Sequence, residues 1–287
     1  MMSSNPEGEV NSGDRLQTEF FKEYTSREAI SKYTRSTAGH GIRYLLEHDY
    51  KTVYLQALEL LSRDLKERGI RILEFGCGGG MNLLHLISVL RQQGIQVEKA
   101  VGTDFSPVLI KAARREAKHY LGASELHRLE FHTAKNETLL TDLSNSLKTE
   151  KSSLQGAFDF VFGVNTIRYC HDADNELDCA RDIFNLLAPG GVCVVIDMNN
   201  RFPLFRSDLK NRLRLHKEEE CYVPSLEEYA EPFIKIGFDV VRKEHFCWVP
   251  HSAGKFLSGV MRGLSPILDL VVPSRAMRSL VVARKPF

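Results

Sequence analysis

In the stretch LEFGCGGG, residues 73–80, four glycines follow an apolar run that carries Glu74, and in VGTDFS, residues 101–106, Asp104 stands behind a second such run. Inside a regular element glycine costs about 0.5–1 kcal/mol relative to alanine, so such a cluster points to backbone that turns tightly or touches a ligand. A glycine loop that opens a helix, as this one would at Met81, offers backbone N–H groups and the positive end of the helix dipole. The chemistry these residues offer is the close cradling of a ligand at a helix N-terminus.

Two ligands compete for the loop: a dinucleotide pyrophosphate and the amino-acid part of S-adenosyl-L-methionine. The dinucleotide fingerprint G-x-G-x-x-G would put its third glycine at position 81, where Met81 stands, and the spacing here is G-x-G-x-G over Gly76, Gly78 and Gly80. The surrounding elements have to decide.

Those elements read as alternating strands and helices. RILEF (71–75), KAVGTDF (99–105), LEFHTA (129–134), FDFVFGVN (158–165) and GVCVVIDM (191–198) are short apolar runs of strand type. Between them, residues 81–93 place Leu83, Leu84, Ile87 and Leu90 on one helical face, residues 107–121 start behind Ser106 as N-cap and Pro107 as first residue, and a third helix runs through 177–187. Strands joined by helices imply a parallel sheet covered on both faces, an α/β doubly wound fold. FDVVRKEHF (238–246) and RSLVVARKP (278–286) are two further strands. Residues 135–157 are polar and long for a connection, so a helix with a mobile loop is expected there, and 201–233 reads as helix, loop and helix. Ahead of the first strand, Phe20, Phe21, Tyr24, Ile30, Tyr33, Ile42, Leu45, Leu46, Val53, Leu55, Leu58 and Leu61 recur mostly at helical spacing, with TAGHG (37–41) as a loop. The expected organisation is a disordered tail over 1–17, an N-terminal helical cap over 18–69, and a ligand-binding domain over 70–287 with substrate-side insertions at 199–233 and 247–277.

LEFGCGGG, then VGTDFS, then LLAPGG (186–191) before the fifth strand together resemble the class I S-adenosylmethionine-dependent methyltransferases of small-molecule type. The likeness covers residues 70–200, and RSLVVARKP resembles that fold's closing antiparallel strand. It implies a mostly parallel seven-stranded Rossmann-like sheet with S-adenosyl-L-methionine as cofactor. By position, Gly76, Cys77, Gly78 and Gly80 would pass under the methionine moiety and Glu74 would be the acid ending the first strand. Asp104 would take the ribose hydroxyls, with Phe105 and Ser106 beside the adenine, and Val164 and Asn165 would lie beside the sulfonium. After the third strand Thr133 and Ala134 stand where many members carry an aspartate toward the adenine amino group, and Thr133 or Asn136 would have to replace it. VNTIRYC lacks the N/D-P-P-Y/F pattern of enzymes that methylate base or glutamine amino groups, so nucleic acid is not the expected substrate.

Methyl transfer asks the protein for proximity, orientation and, for some acceptors, a base. The candidates are His171, Tyr169 and His40, with His132 and Asp172 behind them; Arg43 and Tyr33 are candidate carboxylate contacts. Phe202, Phe205, Tyr222, Tyr229, Phe246 and Trp248 suit an apolar pocket wall for a hydrophobic or lipid-like acceptor. Leu257, Val260, Met261, Leu264, Ile267, Leu268 and Val271 form a stripe that suits fold core, a homodimer surface or, through 255–272, contact with a lipid surface.

Composition fits this picture. The 38 basic and 37 acidic residues leave a net charge of +1, which gives no global drive toward nucleic acid. The six cysteines form no C-x-x-C pair, so reduced thiols in a cytoplasmic protein are expected and a metal is not. MMSSNPEGEVNSGD has no apolar signal-peptide core, and no apolar run is long enough to span a bilayer. The remaining alternatives are a nicotinamide-type oxidoreductase and a non-catalytic binding protein that keeps the fold.

Overall fold

The computed structural model of the chain describes residue 30, residues 33–203 and residues 222–287. The tail over 1–17, Phe20, Phe21, Tyr24, Phe205, Cys221 and the first helix expected within 201–233 lie outside the described residues.

A seven-stranded sheet organises the rest, in the order β3-β2-β1-β4-β5-β7-β6. Its strands are β1 (Ile70–Phe75), β2 (Val97–Asp104), β3 (Leu129–Thr133), β4 (Phe158–Val164), β5 (Leu187–Met198), β6 (Asp239–Phe246) and β7 (Arg278–Arg284). All pairings from β3 through β5 are parallel, and β7 runs antiparallel to both β5 and β6. The chain winds outward from β1 to β3 and returns to β4 beside β1, so the carboxyl ends of β1 and β4 flank the point where strand order reverses. Ligands of open α/β sheets bind in that crevice.

The helices follow from local signals. Residues 40–59 are continuous: α1 (His40–Leu45), a π-helical turn over Leu46–Tyr50, and α2 (Lys51–Glu59); α3 (Arg63–Glu67) then leads into β1. Helix α4 (Met81–Gln92) starts directly at the glycine turn, with Gly80 as N-cap in the left-handed conformation. Ser106 caps α5 (Pro107–Tyr120) by accepting the Leu109 N–H, with Pro107 in the first turn. Helix α6 (Ala123–Leu126), α7 (Leu139–Leu147), α8 (Arg168–Asp172) and α9 (Glu176–Leu186) follow. In α10 (Leu226–Ile236) Ser225 and Glu228 form a capping box, and α11 (Lys255–Val271) is the last helix.

Two cores cover the sheet. On one face Leu45, Tyr50, Tyr54 and Leu58 of the cap pack with Phe160, Phe162, Leu280 and Val282; the Tyr54 ring meets Phe162 edge-on at 5.1 Å between centroids. On the other, Leu139, Leu143, Ile183, Tyr229 and Phe233 pack with Val161, Val195 and Val281.

The structure corrects several expectations. Residues 135–157 hold no long loop: a 3-10 turn, α7 and a second 3-10 turn over Lys151–Leu154 fill them, because Leu139, Leu140, Leu143 and Leu154 are buried against the sheet. LLAPGG is not simply a connection, since β5 begins at Leu187 and pairs with Phe158 before the register shifts and Val192 pairs with Phe160. His40 and Gly41, read as loop, open α1; a Cβ on Gly41 would stand 2.4 Å from the Pro250 carbonyl oxygen, so the cap rests on the segment before α11. Most of the stripe on α11 is not fold core: Ile267 is 60% and Val271 68% exposed, Met261 packs against the core, and Ser258 alone in that helix is fully buried. Nor do the aromatics form one wall, because Tyr229 belongs to the core of the opposite face while Trp248 is anchored by its indole N–H to Asp269 at 2.7 Å. Cys77, Cys170, Cys179, Cys193 and Cys247 are free and buried. Among the described residues no helix is long and apolar enough to cross a membrane, and no group of metal-ligating side chains occurs.

Candidate functional site

The backbone between β1 and α4 turns through three positive φ values, +61° at Gly76, +53° at Gly78 and +78° at Gly80. Only glycine adopts these at no steric cost. At Gly76 the need is also one of space, since a Cβ there would lie 2.0 Å from Thr166 Oγ1. Thr166 is held in turn by Asn136, whose Nδ2 donates to its hydroxyl at 2.7 Å. Asn136 therefore buttresses the turn from below. The Cys77 N–H donates to the Thr103 carbonyl at 2.7 Å, which ties the turn to β2.

Asp104, at the carboxyl end of β2, completes this corner. Its Oδ2 accepts the Gly78 N–H and its Oδ1 the Ser106 N–H, both at 2.9 Å. Each oxygen keeps a second lone pair, so the carboxylate stays competent to accept a pair of hydroxyls. It is only 5% exposed, and burial pushes its pKa up to about 6 against the pull of the two backbone N–H groups. Thr133 lies beside it in register and is exposed, and the Ala134 N–H donates to the Asp104 carbonyl at 3.0 Å. Ser106 is fully buried as the α5 cap, so it serves by fixing Asp104. Phe105 follows Asp104 and is half-buried.

Glu74 lies under the turn, fully buried, and takes the Leu83 N–H on Oε2 at 2.9 Å. Burial pushes its pKa up to about 8, and its Oε1 has no hydrogen-bond partner among the described residues. A segment from the amino-terminal side covers the turn: a Cβ at Gly79 would stand 2.5 Å from the Tyr33 carbonyl oxygen and 2.8 Å from Thr34 Cγ2. Ser36 pins that segment to α5, donating from N and Oγ to the Glu116 carboxylate at 2.9 and 2.7 Å. Arg35 pins it to α4 through the Leu84 carbonyl and Ser88 and stacks over Tyr120. The glycine cradle, the diol-competent Asp104 and the covering strap fit S-adenosyl-L-methionine.

The second half of the site gathers at the ends of β4, β5 and β7. Val164 ends β4 buried, and Asn165 follows with φ +55°, its N–H bonded to the Ile196 carbonyl at 2.8 Å. Arg168 donates to the Asn165 carbonyl at 3.2 Å, to Asp197 Oδ1 at 2.9 Å and to the Tyr169 hydroxyl at 2.6 Å. Arg278, from the start of β7, donates to Asn165 Oδ1. Asn165 is thus held on both sides by guanidinium groups, and Tyr169 is joined to the same cluster.

Among the described hydrogen bonds, none joins His171, His40 or His132 to Asn165. His171 packs edge-on against Tyr229 at 5.6 Å and borders a shallow depression of about 450 Å³ with Tyr222, Glu228, Pro232 and Lys235. Burial holds its pKa below the ordinary histidine value, against the pull of Glu176 of α9, Glu228 and Glu231 of α10, and Asp197 of the Arg168 cluster. His40 is exposed at the first position of α1. His132, on β3, is engaged by Glu130 of the same strand and Ser146 of α7. What the motifs do not reveal is Thr166, the strap over 33–36 and the Arg168–Asp197–Arg278 cluster. Charged residues at the ends of the apolar runs VNTIRYC, VVIDM and RSLVVARKP are the available signal for that cluster.

The chain resembles known proteins in sequence and in fold. A family profile described as a methyltransferase domain matches residues 46–243. A curated non-reducing polyketide synthase of Hypocrea jecorina (strain QM6a) is 25% identical over 179 residues, 62% of this chain and 6% of that protein. The chain thus spans a small part of that relative's length. Among solved structures, an S-adenosylmethionine dependent methyltransferase from Mesorhizobium loti matches with TM-score 0.52 at 17% identity over 81% of this chain and 97% of its own. A structure concerning the conversion of a disulfide bond into a thioacetal group during echinomycin biosynthesis matches with TM-score 0.51 at 19% identity over 82% and 80%. At such identities the two structures speak for the fold.

Proposed function

The chain belongs to the methyltransferase-domain family, and from that premise we propose that it binds S-adenosyl-L-methionine over Gly76–Gly80 and Asp104 and methylates a small, hydrophobic or natural-product-like acceptor beside Asn165. The observation that carries the cofactor assignment is the Asp104 carboxylate, fixed by Gly78 and Ser106 N–H groups at the carboxyl end of β2 with acceptor capacity left over. When bound, S-adenosyl-L-methionine supplies a methyl group already activated on a sulfonium.

The chain's own residues then have three tasks. Asp104 orients the ribose through its spare lone pairs, and the glycine turn leaves room for the methionine end. The Tyr33–Ser36 strap, tied to α4 and α5, excludes water from above the turn. Asn165, fixed by Arg168 and Arg278, borders the place where the acceptor must stand for in-line transfer. No described hydrogen bond joins a histidine to Asn165, and the site works by proximity and orientation. An acceptor of natural-product type draws support from the polyketide synthase likeness, and a hydrophobic one from the apolar cap over the sheet.

Calorimetric titration with S-adenosylhomocysteine, with NAD(H) as control, tests the reading. Binding of the former alone is expected. Binding of NAD(H) would turn the reading to a nicotinamide oxidoreductase, and binding of neither would remove the cofactor assignment.

A further inference from the structure

Two buried guanidinium groups share Asn165, and only one has a carboxylate. Arg168 is paired with Asp197, which is fully buried, at 2.9 Å. Arg278 is 2% exposed, and among the described residues no carboxylate comes within 4.0 Å of it. Its NH1 donates to the neutral Asn165 side chain, and its Nε has no hydrogen-bond partner. Around Asn165, at the ends of β4, β5 and β7, two guanidinium groups thus share one directly paired carboxylate, and the next carboxylate, Asp49, accepts a hydrogen bond from the Cys247 thiol that also faces Arg278. A buried charge left without a counter-charge is costly, and a neutral amide offsets that cost only in part.

The position of Arg278 gives the excess charge a purpose. In β7 it pairs with Met198 at the end of β5 and with Phe246 at the end of β6, at the carboxyl edge of the sheet. It lies on the same strand face as Leu280 and Val282, the face that the N-terminal cap covers. There it is hydrogen-bonded to the side chain of Tyr50, the last residue of the π-helical turn. Such turns recur at functional sites. Burial holds the Tyr50 hydroxyl protonated, its pKa pushed up to about 12, so it can donate a hydrogen bond.

We propose that Arg278, held by Asn165 and flanked by Tyr50, binds an anionic oxygen of the methyl acceptor, so that the acceptors of this protein are carboxylates or acidic enols. The inference rests on the methyl-transfer reading and names the substrate class of that same site. A guanidinium suits the task because its fixed fork of donors matches two oxygens and it stays charged at every physiological pH. Binding of the anion supplies the missing counter-charge and places the acceptor next to Asn165. Arg278 is then a specificity-determining residue, while cofactor affinity depends on Asp104 and the glycine turn.

The test uses the full chain saturated with S-adenosylhomocysteine, whose own binding is measured first and reports on the cofactor reading alone. Matched probes are then titrated: benzoate against benzamide, octanoate against octanamide, and dimedone against cyclohexanone. The anions are expected to bind more tightly than their neutral partners, on the order of 30-fold or more, as for a desolvated charge pair. Arg278→Gln should erase that preference with S-adenosylhomocysteine affinity unchanged, and Arg278→Lys should retain part of it. Preference for benzoate and octanoate alone would assign carboxylates, and preference for dimedone alone enols. Equal binding of anion and neutral partner, failure of every anion to bind, or a preference that survives in Arg278→Gln would overturn the inference. If Arg278→Gln does not fold, the wild-type comparison and Arg278→Lys still decide.

Discussion

Replacing Asp104 by alanine attacks the one contact on which the cofactor assignment depends. In the protein the carboxylate accepts two backbone N–H groups and keeps two lone pairs for the ribose hydroxyls. A hydrogen bond to a charged acceptor contributes about 1.5–3 kcal/mol, so losing both ribose bonds costs about 3–6 kcal/mol. At about 1.4 kcal/mol per factor of ten, S-adenosylhomocysteine should bind on the order of 10²–10⁴ times more weakly. The pH dependence adds a second signature with a defined sign. Burial pushes Asp104 up to about 6, and a ribose hydroxyl donates best to the ionised form. Wild-type affinity should therefore be constant above that value and fall about tenfold per pH unit below it. Stability of the ligand-free protein moves the other way, because a carboxyl with a raised folded pKa weakens the fold when ionised and regains that stability as pH falls through about 6. Asp104→Asn should remove both trends. Calorimetry from about pH 8 to about pH 5, paired with thermal unfolding of the ligand-free protein, reads both. Unchanged affinity in Asp104→Ala would refute the assignment, as would a pH profile that Asp104→Asn leaves intact.

Three further outcomes are expected. Gly76→Ala places a Cβ 2.0 Å from Thr166 Oγ1 at φ +61°. Left-handed strain plus overpacking should destabilise by about 2–4 kcal/mol in denaturant unfolding, and a loss under about 1 kcal/mol would contradict the close packing described. Glu116→Ala removes both anchors of Ser36 without touching the glycine turn, and should speed S-adenosylhomocysteine release about tenfold in stopped-flow measurements. An unchanged release rate would mean that the strap does not cover the ligand. His171→Ala should leave cofactor affinity intact and change turnover less than about threefold, since its contacts lie with α9 and α10; a fall of about 10²–10⁴ would restore it as a base.

Much of the fold is legible in the chain because its signals are local. Ser106 followed by Pro107 marks the start of α5, and the hydroxyl does cap it. The apolar runs mark all seven strands to within a few residues, apart from the early start of β5. The glycine spacing marks the turn, since positive φ is a demand on individual residues. Legibility ends where burial depends on distant partners. Residues 135–157 look polar, yet Leu139 and Leu143 find the sheet and order the segment. The α11 stripe has helical spacing, yet spacing alone does not say whether anything covers it. His171 follows β4 closely in the chain, but α8 turns it toward Tyr229.

By itself the sequence determined the α/β winding, the glycine turn and the identity of Asp104 as the acid beside it. Those features depend on backbone conformation and short-range periodicity, which are written residue by residue. Only the tertiary structure decided which charges meet at the acceptor side. Asn165 follows β4, Arg168 opens α8, Asp197 lies in β5 and Arg278 opens β7; they lie up to 113 positions apart, and the pairing of β4, β5 and β7 brings them together. A desolvated charge takes its meaning from its neighbours in space, and that is why Arg278 is ordinary in the chain and conspicuous in the fold.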